Sequence, residues 1–218
     1  MKQFVIIGIG KFGYSIATTL FDMGHDVLAI DKDEEKVQQI SNRVTHAVQA
    51  DATDENTLKA LGIRNFDVAV VTISSNIQSS ILITMLCKEL GLKYVLAKAQ
   101  NELHAKVLYK TGADKVVFPE RDMGIRVAQN LVSTNFLDYI ELTPHYRLVE
   151  LAVVPAWEDK SLRELNIRVK YGINIMAIRH GNDVNISPLG DDILRRGDVL
   201  VLIGRTNDIE NFQRKAGE

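Results

Sequence analysis

The sequence predicts an α/β protein with two domains: a doubly wound parallel sheet first, then a connecting helix and a small α+β domain. Short apolar runs alternate with helical patterns up to residue 118, and strands that alternate with helices form parallel sheets. The first apolar run leads directly into a glycine-rich turn. The rhythm changes after Pro119, which indicates the second domain.

The strands of the first domain are predicted from short apolar runs that turn residues bound on either side. They span residues 3–7, 26–30, 45–49, 67–72, 94–98 and 115–118. Helical segments between them end at glycines 24, 62, 91 and 112, as helices commonly do. Asp33, Asp54 and Asn101 stand where a side chain can cap the start of a helix.

The second domain is predicted from shorter and less regular patterns. Residues 121–133 form a helix, which a short linker joins to the remaining elements. Strands are expected at 146–154, 173–179, 183–187 and 198–203, with helices at 161–165 and 208–215. We therefore expect domains at 1–134, with the connecting helix, and at 135–218.

Composition places the chain among ordinary globular proteins. Of its 218 residues 46% are hydrophobic and 25% are charged, with a net charge of −2, so no nucleic-acid partner is expected. The longest apolar runs fall far short of the roughly 20 residues of a membrane helix. The first predicted strand begins at residue 3, so no signal peptide is expected, and Cys87, the single cysteine, stands on an apolar helical face. These features predict a cytoplasmic protein and a packing role for Cys87.

The turn from Gly8 through Gly10 to Gly13 predicts a nucleotide site on a Rossmann-like sheet. Three glycines allow a sharp turn, a close approach of backbone amides to a diphosphate, and close packing of helix on strand. Asp31 ends the second strand, where a carboxylate accepts hydrogen bonds from ribose hydroxyls. This carboxylate argues against a 2′-phosphate and hence against NADP, and it leaves NAD, ATP and ADP open.

Polar residues after strands three and four are further candidates, because the carboxyl ends of parallel strands form the ligand crevice. Asp51 is placed to accept a hydrogen bond from the adenine amine, and Thr72, Ser74 and Asn76 to face ribose or phosphate. Helix capping is the alternative for these residue types. Lys11, inside the glycine turn, either meets phosphate oxygens or is simply solvated.

No catalytic constellation accompanies this nucleotide site in the sequence. The five histidines, at 25, 46, 104, 145 and 180, belong to no recognisable motif, and no metal-ligand spacing occurs. The leading hypothesis is therefore a non-enzymatic regulator that binds nucleotide as a signal. The alternatives are an NAD-dependent oxidoreductase of the same fold and an oligomeric scaffold with a vestigial cleft.

Motifs along the whole chain resemble the RCK (TrkA-N) domain of bacterial potassium-transport regulators and its companion TrkA-C domain. In the first domain they are the glycine turn, Asp31 and residues 49–53, 61–63, 97–99, 112–114 and 119–124. In the second they are residues 161–167, 171–179, 187–188 and 194–204. Their order and spacing are those of the two-domain KtrA type.

This resemblance implies a cytosolic gating subunit that binds ATP or ADP, with NAD and NADH open, and lacks enzymatic activity. It implies dimers assembled into an octameric ring, which docks on a membrane-embedded potassium-translocating subunit of the KtrB or TrkH type. The subunit is then expected to be cytoplasmic and peripheral at the inner face of the membrane. The connecting helix becomes the crossover between the two lobes.

The resemblance also implies roles for individual residues. Asp31 would hold the ribose, Asp51 the adenine, and Lys11 takes the place of a family arginine that reaches a terminal phosphate, often in a neighbouring subunit. Lysine keeps the charge without the bidentate geometry. The full set of nucleotide-binding candidates is Gly8, Gly10, Lys11, Phe12, Gly13, Asp31, Lys32, Asp51, Ala52, Thr72, Ser74, Asn76, Lys98 and Glu120.

Two further ligands follow from the same resemblance. Glu120 aligns with a family glutamate that, together with phosphate oxygens, suits Mg²⁺ or Ca²⁺. In some relatives the C-terminal domain binds cyclic di-AMP at a dimer interface, and ordinary core and dimer packing is the alternative there. The candidate positions for cyclic di-AMP are Ile167, Arg168, Asn174, Ile175 and Pro188.

Overall fold

The computed structural model describes residues 1–73, 76–132 and 136–216, without the side chains of 129–130, 132–139, 141 and 213–216. The chain divides into two compact units, Met1–Arg121 and Asp122–Glu218. No helix within the described ranges combines the length and the apolar composition of a membrane crossing.

The first unit is built on a six-stranded parallel sheet with the strand order β3-β2-β1-β4-β5-β6. Its strands are β1 (Gln3–Ile7), β2 (Asp26–Asp31), β3 (His46–Gln49), β4 (Val68–Val71), β5 (Tyr94–Lys98) and β6 (Lys115–Val117). The order reverses between β1 and β4, because β1 pairs with both β2 and β4. This order confirms the predicted doubly wound sheet, and the reversal marks its ligand crevice.

Helices connect these strands and begin at the carboxyl edge of the sheet. They are α1 (Lys11–Asp22), α2 (Glu34–Ile40), α3 (Glu55–Ala60), α4 (Ile77–Glu89) and α5 (Glu102–Lys110). The predicted caps are confirmed, because Asp33, Asp54 and Asn101 each accept a hydrogen bond from a backbone N–H of the helix they precede. The predicted glycine stops all have positive φ, the conformation that favours glycine.

The sheet of the first unit is covered on both faces. Val5 and Ile7 pack into one hydrophobic cluster and Ile6 packs into the other, because successive side chains of a strand point to opposite faces. Cys87 is fully buried in the first of these clusters. Burial raises the pKa of its thiol to about 12, which agrees with the predicted packing role.

The second unit contains a five-stranded antiparallel sheet with the order β10-β9-β11-β8-β7. Its strands are β7 (Phe136–Thr143), β8 (Tyr146–Ala152), β9 (Asn174–His180), β10 (Asp183–Asn185) and β11 (Val199–Arg205). The remaining helices are α6 (Pro119–Val132), α7 (Leu162–Leu165), α8 (Ile167–Tyr171) and α9 (Thr206–Ala216). The core of this unit includes Leu151, Leu200 and Phe212, which confirms an α+β domain.

Two elements differ from the sequence-based expectation. Strand β7 occupies the segment that the sequence analysis expected to be a linker. The strand was not predicted because paired apolar residues at 136–137 and 139–140 break the two-residue alternation that marks a strand. Helix α6 begins at Pro119 rather than at residue 121, since proline fits the first turn of a helix. The domain boundary at 134/135 stays a prediction.

Candidate functional site

The glycine turn is held in place by the end of the neighbouring strand. Gly8 follows β1 with a φ of +100°, which glycine adopts without strain. The hydroxyl of Thr72, just past β4, donates to the carbonyl oxygen of Gly8 at 2.5 Å. The turn is thereby fixed at the crevice between β1 and β4.

Gly10 and Gly13 play different parts in this turn. A Cβ atom on Gly13 would lie 2.0 Å from the carbonyl oxygen of Gly8 and 2.6 Å from the Thr72 hydroxyl. Gly13 is therefore required by the close packing of α1 against the turn. A Cβ atom on Gly10 would meet nothing within 4 Å, so the protein itself leaves space at this position.

The start of α1 differs from the starts of the next four helices. Asp33, Asp54, Asn76 and Asn101 cap α2, α3, α4 and α5 with their side chains. The α1 helix begins after Gly10 without a side-chain cap. The first N–H groups of a helix have no partner within it, so α1 presents open donors and the positive end of its dipole.

Asp31, at the end of β2, is oriented by two backbone amides. Its Oδ2 accepts from the N–H of Ile9 at 2.6 Å, and its Oδ1 accepts from the N–H of Asp33 at 3.0 Å. A carboxylate offers about four lone-pair sites, so each oxygen keeps one for a further donor. Two adjacent acceptors of this kind match the two vicinal hydroxyls of a ribose.

These features surround one cleft with a volume of about 490 Å³, within the usual size of small-molecule sites. Seven of the nucleotide-binding candidates line it: Gly8, Gly10, Asp31, Lys32, Ala52, Thr72 and Asn76. Part of the lining is apolar and suits the faces of a purine ring; these residues are Ile7, Ile30, Ala50, Ile73 and Ile83.

Helix capping was the alternative to ligand binding for Asn76 and Asp51, and the structure shows it for Asn76 only. The Asn76 side chain caps α4 by accepting from the N–H of Ser79, and Asn76 also lines the cleft. Asp51 accepts from both the N–H and the hydroxyl of Thr53, while its Oδ2 lies 2.9 Å from the Lys32 ammonium. These bonds, those from Thr53 first, lower the pKa of Asp51 to about 2.

Lys98 and Glu120 form an ion pair between the end of β5 and the start of α6. The Lys98 side chain is 8% exposed and that of Glu120 is 70% exposed. The hydrogen bond from Lys98 holds the pKa of Glu120 below its usual range. The Glu120 carboxylate is thus already paired with an ammonium of this chain, and neither residue is among those that line the cleft.

Other candidates lie beside the cleft or outside the described part of the chain. Lys11 and Phe12 are the first two residues of α1, and Lys11 is exposed. Ser74 lies outside the described residues. In the described parts of the chain, no group of three or more histidine, cysteine or carboxylate side chains is arranged to hold a metal ion.

Besides the apolar lining, the structure adds three polar cleft residues that the sequence did not nominate, namely Asp33, Lys36 and Ser79. Lys36 lies two residues into α2, with its Nζ 3.9 Å from Asp31 Oδ1. Lys36 is five residues from Asp31 in the sequence, and this spacing alone does not predict their contact. The contact arises because the turn into α2 brings Lys36 back over the end of β2.

The cyclic di-AMP candidates are spread over α8, β9 and the segment after β10. Ile167 is buried in the core of the second unit, where its side chain is used for packing. Arg168 and Asn174 are exposed, and Ile175 and Pro188 are half-buried. Their role in ligand binding stays a prediction.

The fold and cleft define a two-domain protein with a nucleotide-type Rossmann unit, and the family comparisons agree. Residues 4–119 match the TrkA-N domain and residues 148–217 match the TrkA-C domain. The chain belongs to this TrkA-N/TrkA-C family. It is 49% identical over 214 residues to the Ktr system potassium uptake protein A of Bacillus subtilis (strain 168), covering 98% of this chain and 96% of that protein.

Two solved structures extend the likeness to ligand complexes. The GsuK channel bound to NAD is 27% identical with a TM-score of 0.56, covering 100% of this chain and 39% of that one. GsuK bound to ADP is 29% identical with a TM-score of 0.52, covering 60% and 34%. The chain thus spans less than half the length of the GsuK channel.

Proposed function

We propose that this chain is a nucleotide-sensing regulatory subunit of a bacterial potassium uptake system. It binds ATP or ADP, with NAD or NADH as further candidates, and controls a membrane-embedded potassium-translocating partner. The near full-length identity to a Ktr system potassium uptake protein supports this role. The NAD and ADP complexes of GsuK support an adenine nucleotide as the ligand.

One observation carries the proposal: the cleft gathers polar groups whose hydrogen bonds the chain leaves open. The uncapped start of α1 suits a diphosphate, and the space at Gly10 lets that anion approach the backbone. Asp31 keeps one acceptor site on each oxygen. Around this cleft, the start of α1 is available to the phosphates and Asp31 to the ribose, and the apolar side chains remain for adenine.

The individual assignments form part of the proposal. Asp31 holds the ribose, and Asp51 reaches the adenine amine after exchanging its contact with Lys32. Lys11 meets the terminal phosphate of a nucleotide in a neighbouring subunit. The carboxylate of Glu120 joins phosphate oxygens around Mg²⁺ or Ca²⁺, hard cations that prefer oxygen ligands. Cyclic di-AMP is a second candidate ligand of the C-terminal unit.

The regulatory mechanism follows from linkage. A ligand shifts a conformational equilibrium only by its difference in affinity for the two states. The nucleotide therefore acts as a signal that favours one arrangement of a homo-oligomer, proposed as dimers in an octameric ring at the inner face of the membrane. The partner's gate responds to that arrangement, and no bond of the nucleotide is made or broken.

This function is tested in a bacterium that lacks potassium uptake and carries a Ktr-type membrane subunit. We expect growth at limiting potassium to improve when the chain is co-expressed, and the Asp31→Ala variant to lose this effect. Equal growth with and without the chain would contradict the proposal. A substrate-dependent change in nicotinamide absorbance would favour the oxidoreductase alternative instead.

A further inference from the structure

The turn from β2 into α2 places a lysine at the ribose end of the cleft. Lys36 lines the cleft with a side chain that is 43% exposed. Its Nζ lies 3.9 Å from Oδ1 of Asp31 and 3.3 Å from Oδ2 of Asp33. An ammonium therefore lies beside the carboxylate that we assign to the ribose.

The two carboxylates hold Lys36 in different ways. Asp33 is fixed, because its Oδ1 caps α2 by accepting from the N–H of Glu35, and its Oδ2 binds the lysine. The hydrogen bond from Lys36 lowers the pKa of Asp33. At 3.9 Å, the contact with Asp31 is an ion pair too long for a hydrogen bond, so it leaves the Asp31 lone pairs available.

Other charged groups at this end of the cleft are already engaged. Lys32 is 2.9 Å from Asp51, and Asp51 also accepts from Thr53. Lys36 is thus the ammonium that lies nearest to Asp31 in the described part of the chain. Its three donors exceed what the contact with Asp33 uses.

We propose that Lys36 donates a hydrogen bond to a ribose hydroxyl whose proton Asp31 accepts, which makes the cleft selective for ribonucleotides over deoxyribonucleotides. A hydroxyl both donates and accepts, so one group satisfies the carboxylate and the ammonium together. A deoxy analogue leaves the carboxylate and the ammonium without that partner. Sites that hydrogen-bond a substrate hydroxyl bind analogues that lack it more weakly for this reason. This inference rests on the proposed function and makes Lys36 a specificity-determining residue.

The test is calorimetric titration of the full chain with ATP, 2′-deoxy-ATP and 3′-deoxy-ATP. The unsubstituted chain is compared with Lys36→Met, which keeps an unbranched side chain and removes the charge. Lys59→Met is the matched control, because Lys59 is 54% exposed and 2.7 Å from Glu55 on α3, away from the cleft. Urea unfolding checks that all three proteins are equally folded.

We expect the unsubstituted chain to prefer ATP over at least one deoxy analogue. Lys36→Met should reduce that preference by up to about fivefold, the scale of a solvent-accessible charged contact, and Lys59→Met should leave it unchanged. An unchanged preference in Lys36→Met, equal weakening of all three ligands, or no preference in the unsubstituted chain overturns the inference and leaves the proposed function standing. Absence of binding by all three ligands would overturn the inference, and if ADP, NAD and NADH also failed to bind, the proposed function would be overturned with it.

Discussion

The start of α1 and the starts of α2 to α5 lie at the same edge of one sheet, but they differ in whether a side chain caps their first backbone N–H groups. The four later helices are closed by Asp33, Asp54, Asn76 and Asn101. The first helix follows Gly10 and has no side-chain cap. We therefore propose that the uncapped start of α1, beside the cleft, is the place where an anion binds.

The two carboxylates near the cleft show the same contrast. Asp51 uses both oxygens within the chain, on Thr53 and Lys32. Asp31 accepts one backbone hydrogen bond on each oxygen and keeps acceptor capacity on both. Groups closed within the chain stabilise the fold and reach a ligand only by exchanging a partner, as we propose for Asp51 and Lys32, whereas open groups bind a ligand without such an exchange. This difference can be tested by substitution.

The largest expected effect separates the two glycines of the turn. Gly13→Ser places a Cβ atom 2.0 Å from the carbonyl oxygen of Gly8, so α1 must move away from the turn. We expect the free energy of unfolding to fall by about 3 kcal/mol, the upper range for overpacking. Urea unfolding followed by circular dichroism measures this change.

Gly10→Ser is the matched substitution at the open position. Its Cβ atom meets nothing within 4 Å, and its backbone is already extended with φ −77° and ψ 179°, as an N-cap serine prefers. The new hydroxyl caps α1, so we expect stability to stay within about 0.5 kcal/mol while nucleotide affinity falls. Loss of stability equal to that of Gly13→Ser would contradict the contrast between the two positions.

The next effect concerns a closed helix start. Asp54 accepts from the N–H of Asn56 at 3.1 Å and from the hydroxyl of Thr57 at 2.8 Å. Asp54→Ala should cost about 1 kcal/mol of unfolding free energy, as loss of an N-cap does. Nucleotide affinity, measured by calorimetry, should not change. A marked fall in affinity would mean that capped helix starts also serve the ligand.

The smallest effect is the pH dependence contributed by Asp51. Its pKa is lowered from 3.8 to about 2 in the folded chain, so its stabilising contribution is present above 3.8 and is lost as pH falls through about 2. Because this side chain is half exposed, the contribution stays below about 1 kcal/mol. Asp51→Asn should therefore lower stability at pH 6, and the difference from the unsubstituted chain should vanish near pH 2.

The sequence was sufficient wherever a feature depends on residues close together in the chain. The glycine turn, the caps Asp33, Asp54 and Asn101 and the alternating strands are local patterns, and the structure confirms them. The ribose position of Asp31 followed because the fold fixes where β2 ends. The nucleotide role of Asp31 remains a prediction for experiment.

Features that depend on tertiary geometry were less accessible. Lys36 approaches Asp31 only because α2 turns back over the end of β2. The pairing of Asp51 with Lys32 joins the ends of two neighbouring strands, and local sequence patterns do not reveal which partner each carboxylate oxygen contacts. Strand β7 lacks the alternation that marks a strand, and its pairing with β8 is what organises it.

The most direct test of the open cleft is the thermal unfolding of the full chain measured in parallel with ATP, ADP, NAD, NADH and cyclic di-AMP. A ligand that binds only the folded state raises stability with concentration. We predict that at least one adenine nucleotide, near 100 times its Kd, raises the unfolding temperature by about 5 °C or more, and that Asp31→Ala loses this shift. No shift with ATP, ADP, NAD or NADH, or an equal shift in Asp31→Ala, would contradict the assignment of the cleft.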